Sequence, residues 1–339
     1  MNSKPYENLT PDAVLDALES AGLRGDGRML ALNSYENRVY QVSLEDDPVR
    51  TERAGHSVVV AKFYRPNRWS DAQLLEEHAF AAELVEREIP VVAPYVLDGK
   101  TLNVFNEIRF AVFPRRGGRA PELEDETVLE WIGRFLGRIH AVGATRPFKV
   151  RPTLNIETFG TEPRDWLIAS GMIPEDLKDS WISTVDLALR GVQNHFQIRD
   201  SRSIRLHGDC HAGNILWTEG GNTTLGGPHF VDLDDARMGP AVQDLWMLLA
   251  GDRPTATKQL RALLEGYEQF HDFNREELGL IEPLRTLRLI HYSAWLARRW
   301  EDPAFPAAFP WFGTQRYWQD RILELREQTA NMDEAPLSV

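Results

Sequence analysis

The chain has 339 residues, 42% hydrophobic and 26% charged, with a net charge of −13. That composition excludes wholesale disorder, collagen and coiled coil. At roughly 100–200 residues per domain it suggests two domains or lobes. The acidic balance argues against nucleic acid as a partner, and no run approaches the ~18 apolar residues that a membrane span takes, so no membrane partner is expected. The single cysteine, Cys210, rules out an internal disulfide and suggests a reducing, cytoplasmic location. The opening MNSKPYENLTPD has no apolar core, so no secretory signal is expected.

Thr10-Pro11 reads as a helix start and Gly22 as its stop, with Val14, Leu15 and Leu18 on one face. Strand-like runs follow at Met29–Leu32, Val39–Leu44 and Ser57–Tyr64, the pattern of an antiparallel meander. Ser70-Asp71 opens a helix to about Arg87, whose inward stripe is Leu74, His78, Ala81 and Val85. Ile89–Leu97 and Leu102–Phe113 read as strand-rich, giving five strands and one inserted helix in the first third. Pro114–Arg119 (PRRGGR) breaks the pattern and marks a lobe boundary. The rest is mostly helical: one amphipathic helix runs from Val128 to Gly143, and others cover about 174–196, 240–250, 255–272, 280–300 and 315–330. A short β-like insertion spans Leu206–Trp217 and His229–Leu233.

The densest polar cluster is His207-Gly208-Asp209-Cys210-His211-Ala212-Gly213-Asn214, followed after an apolar run and a Gly-rich turn by Phe230-Val231-Asp232-Leu233-Asp234-Asp235. Phosphoryl transfer needs such a set: a carboxylate for the acceptor hydroxyl, then an amide and a second carboxylate for Mg²⁺. The kinase signature H-R-D-x-x-x-x-N with a later metal-binding Asp has the same order and spacing. Asp209 and Asp232 are therefore the candidate catalytic residues, with Asn214 and Asp232 as metal ligands. A zinc reading of His207, Asp209 and His211 lacks the glycine-free strand and the remote ligands it would need. Cys210 reads as a buried thiol rather than a nucleophile.

Lysine is scarce, with six among 38 basic residues, yet Lys62 stands inside the strand VVVAKFY. A strand lysine can reach phosphates from a cleft while a helix carboxylate holds it; Glu77, flanking the inward stripe, is its expected partner, and Glu76 points more nearly outward. Ser34, in the loop Asn33–Asn37, offers a hydroxyl and an N–H to phosphate, although an ordinary β-turn accounts for that loop equally well. Asp244 heads a very apolar helix, where a carboxylate needs hydrogen bonds to be tolerated; it is expected to brace the Asp209 loop.

These residues, with LNSYENRVYQ, KFYRP, EEHAFA, FAVFP, RLHGDCHAGNILW, FVDLDDAR, GPAVQDLWMLL and IEPLRTLRL, make the chain resemble the aminoglycoside phosphotransferase/choline kinase-like superfamily, and within it a bacterial serine/threonine protein kinase. The resemblance implies an α+β bilobal protein-kinase-like fold: a small antiparallel β-sheet lobe with one helix, residues 1–113, and a larger mainly helical lobe, residues 114–339. It implies Asp209 as proton acceptor, Asn214 and Asp232 on Mg²⁺, Ser34 and Lys62 at the ATP phosphates, and Phe113 beside the adenine. It further implies a monomer acting on protein serine or threonine in a stress response; a small-molecule alcohol kinase and a non-catalytic nucleotide binder are the alternatives. Three departures from ordinary protein kinases stand out. Gly208 replaces the arginine of H-R-D, Asp232-Leu233-Asp234 stands in place of D-F-G, and no A-P-E follows.

Overall fold

The computed structural model describes residues 5–46, 58–196, 203–220 and 226–339. Ser57, the first residue of one expected strand, and the middle of the Gly-rich turn after Thr218 lie outside the described residues. Two compact units divide the chain. The first comprises Met1–Pro121, Lys149–Arg151 and Gly213–Asp235; the second comprises Glu122–Phe148, Pro152–Ala212 and Ala236–Val339.

In the first unit, α1 (Pro11–Ser20) starts as its sequence dictates: the Thr10 side chain accepts the Ala13 N–H, and Pro11 occupies the first turn. Strands β1 (Gly25–Leu32), β2 (Arg38–Leu44) and β3 (Val58–Phe63) precede α2 (Asp71–Glu86), and β4 (Asn103–Phe105) and β5 (Ile108–Pro114) complete an antiparallel sheet in the order β1-β2-β3-β5-β4. The alternation along β3 gives the sheet two faces. Val59, Ala61 and Phe63 enter a core with Val14, Leu18, Val42, Phe110 and Val112. Lys62 lies on the opposite face, paired in register with Val39 and Ala111, where Leu74 of α2 packs on Ala111.

Helix α2 carries a complete capping box between Ser70 and Gln73. Its buried positions are Leu74, Glu77, His78, Phe80, Ala81 and Leu84, whereas Val85 is 45% exposed. The inward face is thus rotated from the expected stripe, taking in Glu77 and excluding Val85. The sheet does have five strands, but not the expected five. Residues 89–97 form no strand, because Pro90 and Pro94 lack the N–H groups a ladder needs. The segment is anchored by single bonds instead: Phe230 N–H to the Pro90 carbonyl, Val92 N–H to the Phe230 carbonyl, and Tyr95 N–H to the Val112 carbonyl. Residues 102–113 supply two strands around a turn at Asn106 and Glu107, both at positive φ. The returning hairpin of Ile215–Thr218 with Gly227–Phe230 completes the unit.

In the second unit, α3 (Glu126–Gly143), α4 (Glu162–Ser170, entered through a π-helical turn at Glu157–Thr161) and α5 (Glu175–His195) are followed by α6 (Val242–Trp246), α7 (Arg253–Tyr267), α8 (Ile281–Arg298), α9 (Ala304–Ala308) and α10 (Gln315–Met332). A two-stranded ribbon joins Ile204–Leu206 to Arg237–Gly239. Helices α3 and α7 approach backbone to backbone: a Cβ on Gly133, Gly137 or Gly266 would overlap the carbonyl of Leu263, Tyr267 or Glu130. Trp318 is fully buried edge-on to Trp181, while Trp311 is 44% exposed.

Candidate active site

The first unit collects a buried charged cluster around Lys62. Its Nζ donates to Asp232 Oδ1 at 2.6 Å and lies 3.5 Å from Asp234 Oδ1. Burial opposes the charge on Lys62, but Asp232 and Asp234, with Glu77 behind them, outweigh it and hold the ammonium above its ordinary pKa. The expected ion pair with Glu77 is therefore replaced. Glu77 reaches Lys62 only through the field, because the Asp232–Asp235 turn brings two nearer carboxylates onto the strand. Burial raises the Glu77 carboxyl to about 7 despite the pull of Lys62 and Arg151. Glu76 faces outward, as expected, and its carboxylate accepts the successive N–H groups of Lys149, Val150 and Arg151.

Asp234 is the hub of the cluster. Arg68 pairs with its carboxylate, the buried Asn37 donates to it at 3.1 Å, and Arg151 donates to its carbonyl. Arg68 also grips both oxygens of Asp235 at 2.9 Å. Burial raises the Asp234 pKa, yet Arg68 and Lys62 bring it below its ordinary value. Asp232, by contrast, is half-exposed and sits at φ +62°, a left-handed conformation that a non-glycine residue adopts only where its surroundings impose it.

The other expected residues of this unit fall around the same sheet. The Asn214 carbonyl accepts the Val231 N–H at 3.0 Å, which places its backbone beside the residue preceding Asp232. Phe113 lies opposite Val60 on β5, with its ring 6.4 Å from that of His78. Burial and nearby Lys62 lower His78 to about 4, so it is neutral, contacting Tyr64 Oη at 2.7 Å and Thr101 Oγ1 at 2.9 Å. Ser34 is half-buried in the β1–β2 connection.

The second unit holds Asp209 in a braced loop. Asp244, fully buried, accepts the N–H groups of His207 at 2.7 Å and Gly208 at 2.8 Å, and His140 Nε2 contacts it at 3.1 Å. A carboxylate only accepts, so His140 donates from Nε2, and its Nδ1 lies 2.9 Å from the Tyr267 hydroxyl. Gly208 has φ +85°, which explains why glycine rather than arginine precedes Asp209. Asp209 Oδ1 accepts from Arg288 Nη1 at 2.8 Å, and His211 Nε2 lies 3.6 Å from Oδ2. Cys210 is buried, and burial pushes its thiol pKa well up.

The structure thus brings Lys62, Asp232, Glu77 and Asn214 into one unit and places Asp209 in the other. Asp234, Asn37, Arg68, Arg151 and Arg288 escaped the sequence reading. Asp234 stood in a motif already singled out, Asn37 in the NSYEN loop and Arg288 in the stretch IEPLRTLRL, where no role was assigned to it; nothing marked Arg68 or Arg151.

A chain with this sheet, this braced loop and this carboxylate–lysine cluster belongs to the phosphotransferase enzyme family, whose family model matches residues 29–281. It is 46% identical over 334 residues to the stress response kinase A of Escherichia coli strain K12, covering 98% of this chain and 97% of that protein. It is 45% identical over 338 residues to the serine/threonine protein kinase RdoA of Salmonella typhimurium strain LT2, covering 100% and 98%. Among solved structures, amicoumacin kinase hAmiN in complex with AMP-PNP, Ca²⁺ and Ami shares the fold at TM-score 0.71 and 18% identity, covering 96% of this chain and 94% of that one. Choline kinase LicA from Streptococcus pneumoniae does so at TM-score 0.60 and 14% identity, covering 94% and 98%. Among the described residues no helix is long and apolar enough to cross a membrane.

Proposed function

We propose that this phosphotransferase moves the γ-phosphoryl group of ATP, with Mg²⁺, to serine or threonine hydroxyls of proteins, as a cytoplasmic monomer serving a bacterial stress response. The protein-kinase part rests on the names of full-length relatives at 45–46% identity. The chemical part rests foremost on one contact, the strand ammonium of Lys62 on Asp232 at 2.6 Å.

The donor set suits the metal. Mg²⁺ is usually held by one or two carboxylates together with phosphate oxygens rather than by an all-protein cage. Asn214 and Asp232 offer hard oxygens, and among the described residues no group of three or more His, Cys, Asp or Glu forms such a cage. When bound, the metal supplies charge neutralisation at the phosphates. In this reading residues 1–113 are the nucleotide lobe and 114–339 the catalytic and substrate lobe. Lys62, kept charged, binds phosphate oxygen, with Ser34 beside it and Phe113 at the adenine. Glu77 shapes the field around the lysine. Asp209 accepts the acceptor hydroxyl's proton as that oxygen bonds to the γ-phosphorus and the bond to ADP breaks. Catalysis is then mainly positioning and electrostatics.

Radiolabelled ATP with Mg²⁺, a bacterial protein extract and a panel of small alcohols tests the reading. Label on protein serine or threonine is expected, lost in Asp209→Asn while nucleotide binding persists. Label appearing only on a small alcohol would refute the protein substrate, and wild-type turnover in Asp209→Asn would remove Asp209 from its role.

A further inference from the structure

The backbone around Asp232 is held on both sides, in two different ways. Before it, the Val231 N–H donates to the Asn214 carbonyl at 3.0 Å, continuing the hairpin of Ile215–Thr218 with Gly227–Phe230. After it, the Asp234 carbonyl accepts from Nη2 of Arg151, a residue 83 positions away along the chain. The Asp232 side chain is half-exposed, so its own packing does not fix it. Its direction follows from a backbone at φ +62° and from whatever holds that backbone.

Arg151 is itself fastened at both ends. It is 5% exposed, and its guanidinium lies 4.2 Å over the ring of Trp69, which packs on the small core of Tyr64, Leu74 and Ala111. Its main chain is tied to α2. Glu76 accepts the N–H groups of Lys149, Val150 and Arg151, and Gln73 Nε2 donates to the Val150 carbonyl at 3.1 Å. One carboxylate taking three successive N–H groups fixes the course of that segment, and with it the point from which the Arg151 side chain starts. An arginine has many rotamers to lose, and here the clamped stem and the stacked head remove them in advance. Arg68 pairs with the carboxylates of Asp234 and Asp235, whereas this Arg151 contact is to main chain and acts on where the turn runs.

We infer that Arg151, aimed by Glu76, is a positioning residue for Asp232: through the Asp234 carbonyl it fixes the backbone from which Asp232 offers its carboxylate to Mg²⁺. The inference rests on the phosphoryl-transfer reading above. A metal ligand that is half-exposed depends on the groups behind it for its orientation, and Arg151 is such a group, reaching the turn from a separate segment of the same unit.

The test measures ATP binding to the full-length chain by isothermal titration, with Mg²⁺ and in EDTA; the ratio of the two affinities is the metal gain. Arg151→Met keeps an apolar stem over Trp69 and drops the donor. Its metal gain should fall about tenfold, the scale on which groups that orient metal ligands act. The direction separates positioning from charge. Arg151 stands in the field of Glu77, Asp234 and Asp235, so removing its charge would by that field alone favour Mg²⁺ and raise the gain. A role in stability alone would lower the melting temperature and leave the gain of the folded protein unchanged. Glu76→Gln, with one strong acceptor oxygen in place of two, should lower the gain about threefold, and it decides the matter should Arg151→Met fail to fold. An unchanged or raised gain in folded Arg151→Met, or an unchanged gain in Glu76→Gln, overturns the inference and leaves the phosphoryl-transfer reading intact. A wild type that binds ATP equally well in EDTA removes the metal from that reading and the inference with it.

Discussion

Replacing Asp244 by asparagine isolates what holds the Asp209 loop. The carboxylate is fully buried and meets three donors: the His207 and Gly208 N–H groups and His140 Nε2. Asparagine has nearly the same shape but only one acceptor oxygen. If that oxygen takes the place of Oδ2, the His207 and His140 bonds survive as weaker neutral ones, and the amide NH₂ confronts the Gly208 N–H. A buried donor left unmatched costs about 1–3 kcal/mol, and bonds to an ionised acceptor are roughly twice as strong as neutral ones. The combined loss is about 3–5 kcal/mol, a sizeable part of a typical stability of about 5–15 kcal/mol. The variant should therefore fold but melt on the order of 10 °C lower. Calorimetry and urea unfolding measure this directly. Under the proposed function turnover should fall with it, since the braced backbone leads straight into Asp209, while nucleotide affinity stays near wild type. A melting temperature within about 1 °C of wild type would show that Asp244 does not brace the loop.

Three further outcomes follow from the same structure. Glu77 keeps its proton up to about 7 against an ordinary 4.5, so its contribution to stability is full below 4.5 and lost as pH rises through 7. His78, neutral down to about 4 against an ordinary 6.5, contributes above 6.5 and loses it as pH falls through 4. The two slopes oppose each other between 4.5 and 6.5, and Glu77→Gln should expose the histidine's alone, a gain of about 3 kcal/mol from pH 4 to 6.5; a flat urea-unfolding profile would refute the assignment. Gly137→Ala places a methyl group on the Tyr267 carbonyl, so α3 and α7 must part and stability should drop by more than about 2 kcal/mol in a thermal melt, whereas the same change at Gly22, where a Cβ meets open space but φ is +82°, should cost about 1 kcal/mol. ATP should bind at least tenfold more tightly with Mg²⁺ than in EDTA by isothermal titration, and Asp232→Ala should erase most of that difference; equal affinity in EDTA would count against the metal.

Contiguous stretches of the candidate site stood out in the sequence because their spacing suits the proposed chemistry: Asp209, Asn214 and Asp232 lie within 24 residues, and Lys62 stood out against a strand of valines. The lysine's partner was not legible. Lys62 and Asp232 are 170 positions apart, and the pairing depends on the segment Gly213–Asp235 returning to the unit that contains β3. A helix-face argument placed Glu77 inward correctly, yet it had no means of counting the carboxylates that a distant turn adds. The roles of Arg68 and Arg288 were unreadable for the same reason, since an arginine shows its meaning only once its carboxylate is located. The false strand at 89–97 has a local origin: apolar residues there pack as strand residues do, while two prolines withhold the hydrogen bonds.

The charge balance around Lys62 ties the fold to the chemistry. Asp232 and Asp234 match Lys62, and Asp234 and Asp235 match Arg68, so both cations have carboxylate partners. Arriving phosphates would add negative charge to a site whose cations are already engaged. Under the proposed function, Lys62 would turn to phosphate as Asp232 exchanges its ammonium for another cation; Asp232 is the half-exposed member of the cluster, whereas Asp234 is buried and fastened by Arg68 and Asn37. The two aspartates therefore divide the work. Asp234 is fastened within the cluster, and under the proposed function Asp232, half-exposed and at φ +62°, is the member that would trade partners.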